Sequence, residues 1–353
     1  MGNKKDFHET SFDKASLLKL DILKDYLTEW LPVFLHNPHV EHIFIYDWFC
    51  GPGRDVKGHD GSPCIIYNVI NKYSSSIGEK KIFVWLNDID SNKVESCTRI
   101  TPPSNVSVHY TSSDYKDCFD SFKQSTPRAS AHFLFIDPKG LVDYEGLFST
   151  VSKLPRTDFL LFLPSTHISR LYQEDSFAKH LPNFPPGVHP KDATKAICQY
   201  FKQEFSTEQK RIHLAPFALK KDQGGGINGL IFASKDLLGL DKFLRVVWNK
   251  SENGEANYTL KGDVDTTHGQ ATLLDEFSVP QKIKAFQDEL RTKIIKKAFL
   301  TNYDVYKFAL FFGVPAKNAK PVLTELKKKG ILRSVPGLSY DTAVKKNSPI
   351  EYA

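Results

Sequence analysis

The chain has 353 residues, of which 41% are hydrophobic and 25% charged, an ordinary balance for a soluble globular protein with a large core and two or three structural units. Its five cysteines (Cys50, Cys64, Cys97, Cys118 and Cys198) include no C-x-x-C pair, and no run of about 18 apolar residues occurs, so zinc-ribbon, disulfide-framework and membrane-spanning classes are excluded as expectations. The net charge of +6 is uneven: residues 281–353 carry 15 Lys and Arg against 6 Asp and Glu, a balance of +9, whereas the rest carries 32 against 35, a balance of −3. A polar leading segment without an apolar signal core points to a cytoplasmic protein with reduced thiols and no metal, and the basic C-terminal segment to a nucleic-acid surface or a solvated lysine face.

Apolar residues at helical spacing from Leu17 to Leu31, with Lys19, Lys24 and Glu29 off the apolar face, predict a leading amphipathic helix. Strand and helix patterns then alternate. HIFIYDWF reads as a strand, SPCIIYNVINKY as a helix, KIFVWLND as a strand, and a helix follows from about Ser91. VSVHYTSSD is the third strand, CFDSFKQ a short helix, AHFLFIDPKG the fourth strand, YEGLFSTVSKL a helix and TDFLLFLPS the fifth strand. Repeated β-α units of this size predict a parallel sheet with helices on both faces. A Pro-rich loop from Ala178 to His189 precedes the helix KDATKAICQYFKQEF, and the strands KRIHLAPFAL and INGLIFASKD flank the glycine-rich turn KKDQGGG. An antiparallel edge hairpin after five parallel strands resembles the ending of the class I methyltransferase fold. From about Lys284, three helical patterns and a short extended tail predict a winged helix-turn-helix. The expected organisation is a leading-helix region over 1–40, a methyltransferase-like Rossmann domain over 41–250, a linker or insertion over 251–280 and a basic winged-helix domain over 281–353.

The first strand ends in Asp47 and a loop holding Phe49, Gly51 and Gly53, where a ligand meets little but backbone. The dinucleotide fingerprint G-x-G-x-x-G needs a third glycine that is missing here, which favours S-adenosylmethionine. Asp47 is then expected to accept from the cofactor ammonium, with the Gly51 and Gly53 backbone near its carboxylate. Asp88 is expected to accept from both ribose hydroxyls, with Asp90 as its alternate, and Asp114 to meet the adenine amine. Each of these acids has a plainer reading as a helix cap. In the fourth strand's Asp137-Pro138-Lys139, the acid and the backbone carbonyl after it are expected to orient an acceptor amine, positioning it more than deprotonating it.

The helix LLKLDILKDYLTEWLPVF leading to IYDWFCGPGR, the loop ending GHDGSP, the motif FIDPKG and the late segment GLIFASKDLLGLDKFLRVVWN together resemble the three-Cys-motif partner proteins, TcmP, of bacteria and phages. KPVLTELKKKGIL is similar to that family's closing helix-turn-helix, so the likeness covers most of residues 15 to 335. The resemblance implies a methyltransferase-like Rossmann domain and a gene-neighbour partner with a three-cysteine, iron-sulfur-type motif that this chain lacks. The sequence departs from the family at Lys139, where an aromatic is more common; a lysine there contacts a phosphate or blocks a base. Lys19 aligns with a lysine common in the family and is expected either over the cofactor pocket or in water. By analogy with Asp-Pro-Phe-Gly motifs of tRNA guanine N2-methyltransferases, the expected acceptor is an exocyclic amine. The expected function is therefore methyl transfer to an amino group of a nucleic acid, RNA or DNA, within a modification or phage-defence gene cassette. Lys317, Lys320, Lys327, Lys328 and Lys329 would hold its phosphates. The alternative is a non-catalytic scaffold that binds nucleic acid and a three-Cys-motif protein.

Overall fold

The computed structural model describes residues 11–124, 127–138, 140, 142–163, 188, 190–204, 212–220, 227–250 and 281–353. Lys139, the 251–280 segment and positions 178–187 of the Pro-rich loop lie outside the described residues. The chain divides into two compact units, Met1–Asp236 and Leu237–Ala353.

In the first unit, α1 (Lys14–Leu35) starts where the Asp13 side chain accepts the Ser16 N–H at 2.7 Å, satisfying a first-turn donor that has no partner within the helix. Seven strands follow among the described residues: β1 (His42–Asp47), β2 (Lys81–Asn87), β3 (Val106–Thr111), β4 (Ser130–Ile136), β5 (Thr157–Leu163), β6 (His213–Lys220) and β7 (Ile227–Ser234). They form one sheet in the order β3-β2-β1-β4-β5-β7-β6. Neighbours from β3 to β5 are parallel, and β7 runs antiparallel to both β5 and β6. This is the class I methyltransferase-like Rossmann sheet with its antiparallel edge hairpin.

The crossover helices are α2 (Ser62–Lys72), α3 (Ser91–Thr98), α4 (Tyr115–Gln124), α5 (Tyr144–Lys153) and α6 (Pro190–Glu204). Every residue of β4 and β5 is buried, as a parallel sheet covered on both faces requires. On one face α1 lays Tyr26 against Phe232 of β7 and Trp30 against Phe133 of β4, with ring centroids 4.9 and 5.5 Å apart. On the other, Phe122 of α4, Phe148 of α5 and Phe201 of α6 pack with Leu134, Ile136 and Phe159 in one apolar cluster.

The second unit contains α7 (Leu237–Lys250), α8 (Gln281–Ile295), α9 (Asn302–Phe312) and α10 (Lys320–Lys328). The helix α7 departs from the expected domain boundary. Its Leu240, Phe243, Leu244 and Val247 form a buried stripe, and by its contacts it belongs with the C-terminal helices, not with the sheet domain. Trp248 donates its indole N–H to the Gly313 carbonyl at 3.0 Å. That glycine ends α9 in the left-handed region, φ 81°. The tail beyond α10 makes single bridges, Leu332 with Tyr352 and Thr301 with Pro349, and no paired wing strands form among the described residues.

One buried polar contact ties α1 to the sheet: the Tyr26 hydroxyl donates to Asp158 Oδ2 at 2.6 Å. Burial pushes the Asp158 carboxyl up to about 6, offset in part by the Ser234 and Tyr26 hydroxyls. The folded protein therefore holds this proton more tightly than the unfolded chain, and stability falls as pH rises from about 4 to about 6. Asp158→Asn keeps an acceptor for Tyr26 and removes the buried charge. It is expected to match the wild type at pH 4 and to exceed it by about 1–3 kcal/mol at pH 8 in urea unfolding. A variant less stable than wild type at pH 8 would contradict the assignment.

Candidate active site

The sheet's register brings the acids together. Asp47 ends β1 opposite Leu86 of β2 and Phe135 of β4. Asp88 and Asp137 each lie two residues beyond those partners, so all three acids stand at the carboxyl edge of adjacent strands. Strand order reverses between β1 and β4, and the connections leaving them part to opposite faces, which opens a crevice there.

Asp47 is fully buried. Its Oδ1 accepts the Phe49 N–H at 3.3 Å, whereas Oδ2 has no hydrogen-bond partner. Burial raises its carboxyl to about 7 against the lowering effect of the Ser62 hydroxyl and the Phe49 N–H, and the charges of Asp137 and Asp88 push the same way as burial. A buried carboxylate oxygen left unpaired is costly, so this position asks for a donor, and a cationic one before all.

Asp88 accepts from two backbone donors, Gly51 N–H on Oδ2 at 3.1 Å and Asp90 N–H on Oδ1 at 3.0 Å. The Gly51 N–H is thus committed to Asp88. Each carboxylate oxygen of Asp88 keeps a lone pair for a further donor. Asp90 is the N-cap of α3, its side chain accepting Asn92 N–H at 3.0 Å. Asp114 is exposed and accepts Lys116 N–H at 2.9 Å at the start of α4. For these two acids the capping role is the one in place. Phe49 is half-buried, with its ring 5.6 Å from that of Tyr115.

The glycine loop is held by its own carbonyls. Gly51 O accepts from the Cys97 thiol at 3.1 Å, and Gly53 O accepts from Gly61 N–H at 2.8 Å and the Cys64 thiol at 3.1 Å. All five cysteines are free and buried. Beyond the loop, Asp55 gathers the Phe12, Lys57 and His59 N–H groups and the His59 ring within 2.9 Å.

Two participants, Asn87 and Ile89, escape sequence reasoning, and a third, Lys19, takes a definite place. Asn87 is buried and links three strand ends: its Nδ2 donates to Trp48 O at 3.2 Å and Ser113 O at 3.0 Å, and its Oδ1 accepts from the Thr111 hydroxyl at 2.8 Å. Ile89, directly after Asp88, is 75% exposed, an apolar platform beside an acid. Lys19 of α1 donates to Asp137 Oδ2 and stands 4.7 Å over the Phe162 ring, its side chain only 15% exposed. Its side chain lies largely out of water, against Asp137 and Phe162. Pro138 is buried beside Asp137.

The lysines named for phosphate contact all lie in the second unit and are exposed. Lys320, Lys327 and Lys328 share one side of α10, with Lys317 a turn earlier, opposite the buried Val322, Leu323 and Leu326. Lys329 is paired with Glu325 at 2.6 Å. Among the described residues no group of three or more His, Cys, Asp or Glu side chains could hold a metal ion, and no helix is long and apolar enough to cross a membrane.

The chain matches no protein-family model and no curated protein. Among solved structures it is similar to Trm1 from Pyrococcus horikoshii in complex with S-adenosyl-L-methionine, at 12% identity and a TM-score of 0.38 over 69% of this chain and 61% of that one. It is similar to the O-methyltransferase TomG from Streptomyces achromogenes in complex with the same cofactor, at 9% identity and a TM-score of 0.35 over 65% and 91%. A protein of Legionella pneumophila is similar at 12% identity and a TM-score of 0.36 over 60% and 84%. The fold assignment rests on this chain's own strand order, to which likenesses of this size add no argument.

The loop's backbone can be tested by contrast. Gly53 and Gly58 both have φ +83°, but a Cβ at Gly53 would come within 2.3 Å of Ile100 Cδ1, while nothing lies within 4 Å at Gly58. Gly58→Ala is expected to cost about 1–2 kcal/mol from the left-handed backbone alone. Gly53→Ala bears the same backbone cost, and because the atom it meets is the free end of the half-buried Ile100 side chain, which can turn aside, it should exceed Gly58→Ala by no more than about 1 kcal/mol. A Gly53→Ala variant several kcal/mol less stable than Gly58→Ala in urea unfolding would show that Ile100 cannot move.

Proposed function

We propose that this chain is an S-adenosylmethionine-dependent methyltransferase whose acceptor is an amino group of a nucleic acid. The observation that carries the proposal is Asp47 Oδ2, buried without a partner at the end of β1 beside a loop of two left-handed glycines. An amino-acid ammonium satisfies that oxygen and stabilises its charge. Asp88 has lone pairs left for two vicinal hydroxyls, and the exposed Ile89 beside it suits the face of a flat ring. The residues present therefore fit the cofactor, which when bound supplies a methyl group on a sulfonium. Asp137, with Pro138 behind it, offers the acceptor amine a carboxylate that aims its lone pair. The lysine side of α10 offers phosphates a row of cations. A second reading, a scaffold that recruits a three-Cys-motif protein, draws on the Lys19–Asp137 pair, which already fills the acceptor position. Asp137→Ala separates the two, since it abolishes turnover in an enzyme and leaves partner binding intact in a scaffold.

Calorimetric titration with S-adenosylmethionine and S-adenosylhomocysteine tests the cofactor. Asp47→Ala and Asp88→Ala should each weaken binding by about 10–100-fold, the worth of a hydrogen bond to a charged group. The pH dependence has a definite sign. A cation beside Asp47 binds its ionised form, so below about 7 a proton must leave first, and affinity should fall about tenfold per pH unit from pH 7 to pH 5. Failure of both ligands to bind at pH 7.5 would defeat the cofactor assignment.

The nucleic-acid part has a separate test, anisotropy of labelled duplex DNA and RNA over a salt series. Lys320→Ala, Lys327→Ala and Lys328→Ala combined should flatten the slope of log affinity against log salt by about 3, nearly one unit for each phosphate that is no longer neutralised. An unchanged slope would remove α10 from the interface.

A further inference from the structure

We infer that Lys19 is itself a methyl acceptor, so that the chain modifies its own leading helix. This rests on the S-adenosylmethionine reading above and extends it to a residue of the chain. Asp137 directly follows β4, the strand next to β1, and stands where an acceptor amine is to be held, and the structure places a primary amine on it. The Lys19 ammonium donates to Asp137 Oδ2 and sits against the face of Phe162 at the carboxyl end of β5. A carboxylate on one side and an aromatic face on the other are the two elements that recognise alkylammonium groups. Asp137 stands two residues beyond Phe135, the register partner of Asp47 on the adjacent strand, and the unpaired oxygen of Asp47 marks the cofactor position, so donor and amine sites adjoin.

The step balances. The Lys19 ammonium gives up one proton to solvent at the open side of the pair, where 15% of its side chain and 29% of that of Asp137 are exposed, and Asp137 holds the amine through a remaining N–H. The freed nitrogen lone pair then forms an N–C bond to the methyl carbon as the S–C bond breaks. The bonding pair goes to sulfur and S-adenosylhomocysteine departs. The product is a methylammonium that keeps its positive charge. It also keeps its N–H bond to Asp137 and gains apolar surface against Phe162, so the modified side chain fits the same place.

The test is peptide mass spectrometry of the full chain after incubation with S-adenosylmethionine carrying a deuterated methyl group, with calorimetry of the same preparation reporting whether that ligand binds. Labelled methyl on the Lys19 peptide of the wild type, absent in Asp137→Asn, is the expected result. Binding without label on Lys19 overturns this inference and leaves the cofactor reading standing; absence of binding overturns both. A measurement without cofactor checks the geometry. In reductive alkylation with formaldehyde, Lys19 should react about tenfold more slowly than the exposed Lys24, equivalent to about 1.4 kcal/mol of protection. Asp137→Asn should abolish that difference. Equal rates in the wild type would show that Asp137 does not hold the amine, and the inference falls.

Discussion

A buried carboxylate is the constraint around which the first unit is arranged. The strand order reverses between β1 and β4, so the chain must leave the sheet in opposite directions at adjacent strand ends, and the edge between them cannot be filled by either connection. Asp47 stands at that edge. Desolvation disfavours its charge, and Asp88 and Asp137 disfavour it further. Left alone, three acids so placed would favour protonation and loosen the edge. The surroundings answer each in turn: two backbone N–H groups for Asp88, one N–H and a hydroxyl near Asp47, and a lysine for Asp137. One oxygen of Asp47 is left over, buried without a hydrogen-bond partner.

That pairing has a second purpose, which is to hold the strand ends still. Asn87 reaches the connections after β1 and β3 with a single amide, so three strand termini move as one. The thiols of Cys64 and Cys97 do the same for the glycine carbonyls. Hydrogen bonds of this kind contribute little each to net stability. Their value lies in fixing where donors and acceptors point before a ligand arrives, which lowers the ordering cost of binding.

Much of this architecture was legible in the sequence because it depends on local pattern. Short apolar runs punctuated by Gly, Pro and Asp mark parallel strands, and the strand-end positions of Asp47, Asp88 and Asp137 follow from where those runs stop. What was hidden depends on side chains that meet across the fold. Asp90 and Asp114 sit at strand ends like Asp88, yet each spends an oxygen on the helix that begins beside it, and the choice between cap and ligand is made by local backbone geometry. Asn87 has no motif; its role exists only once β1 and β3 flank it. Lys19 reads equally as a solvated lysine until α1 is laid on the sheet with Tyr26 on Asp158, which fixes the helix rotation and turns Lys19 inward. The boundary at Leu237 is invisible in the sequence because α7 has the same apolar stripe as a crossover helix, and only its partners reveal which unit it belongs to.

The charge pattern also constrains the order of events in the proposed reaction. A nucleic-acid acceptor brings phosphates, and the crevice edge carries three acids and one described lysine. Across the roughly 8–10 Å over which physiological salt leaves charges visible to one another, such an edge repels a phosphate backbone. The exposed lysines of α10 attract phosphates on their own unit. A cation seated beside Asp47 changes the field at the edge itself. It pulls the carboxyl into its ionised state and cancels that charge at the same time, leaving Asp137 balanced by Lys19 and Asp88 by its N–H donors. Binding of the cationic ligand before the polyanion is therefore the electrostatically favoured sequence. In the proposed reaction, loss of the sulfonium charge would weaken the hold of the acidic edge on the ligand that remains, while the ammonium beside Asp47 would keep its partner.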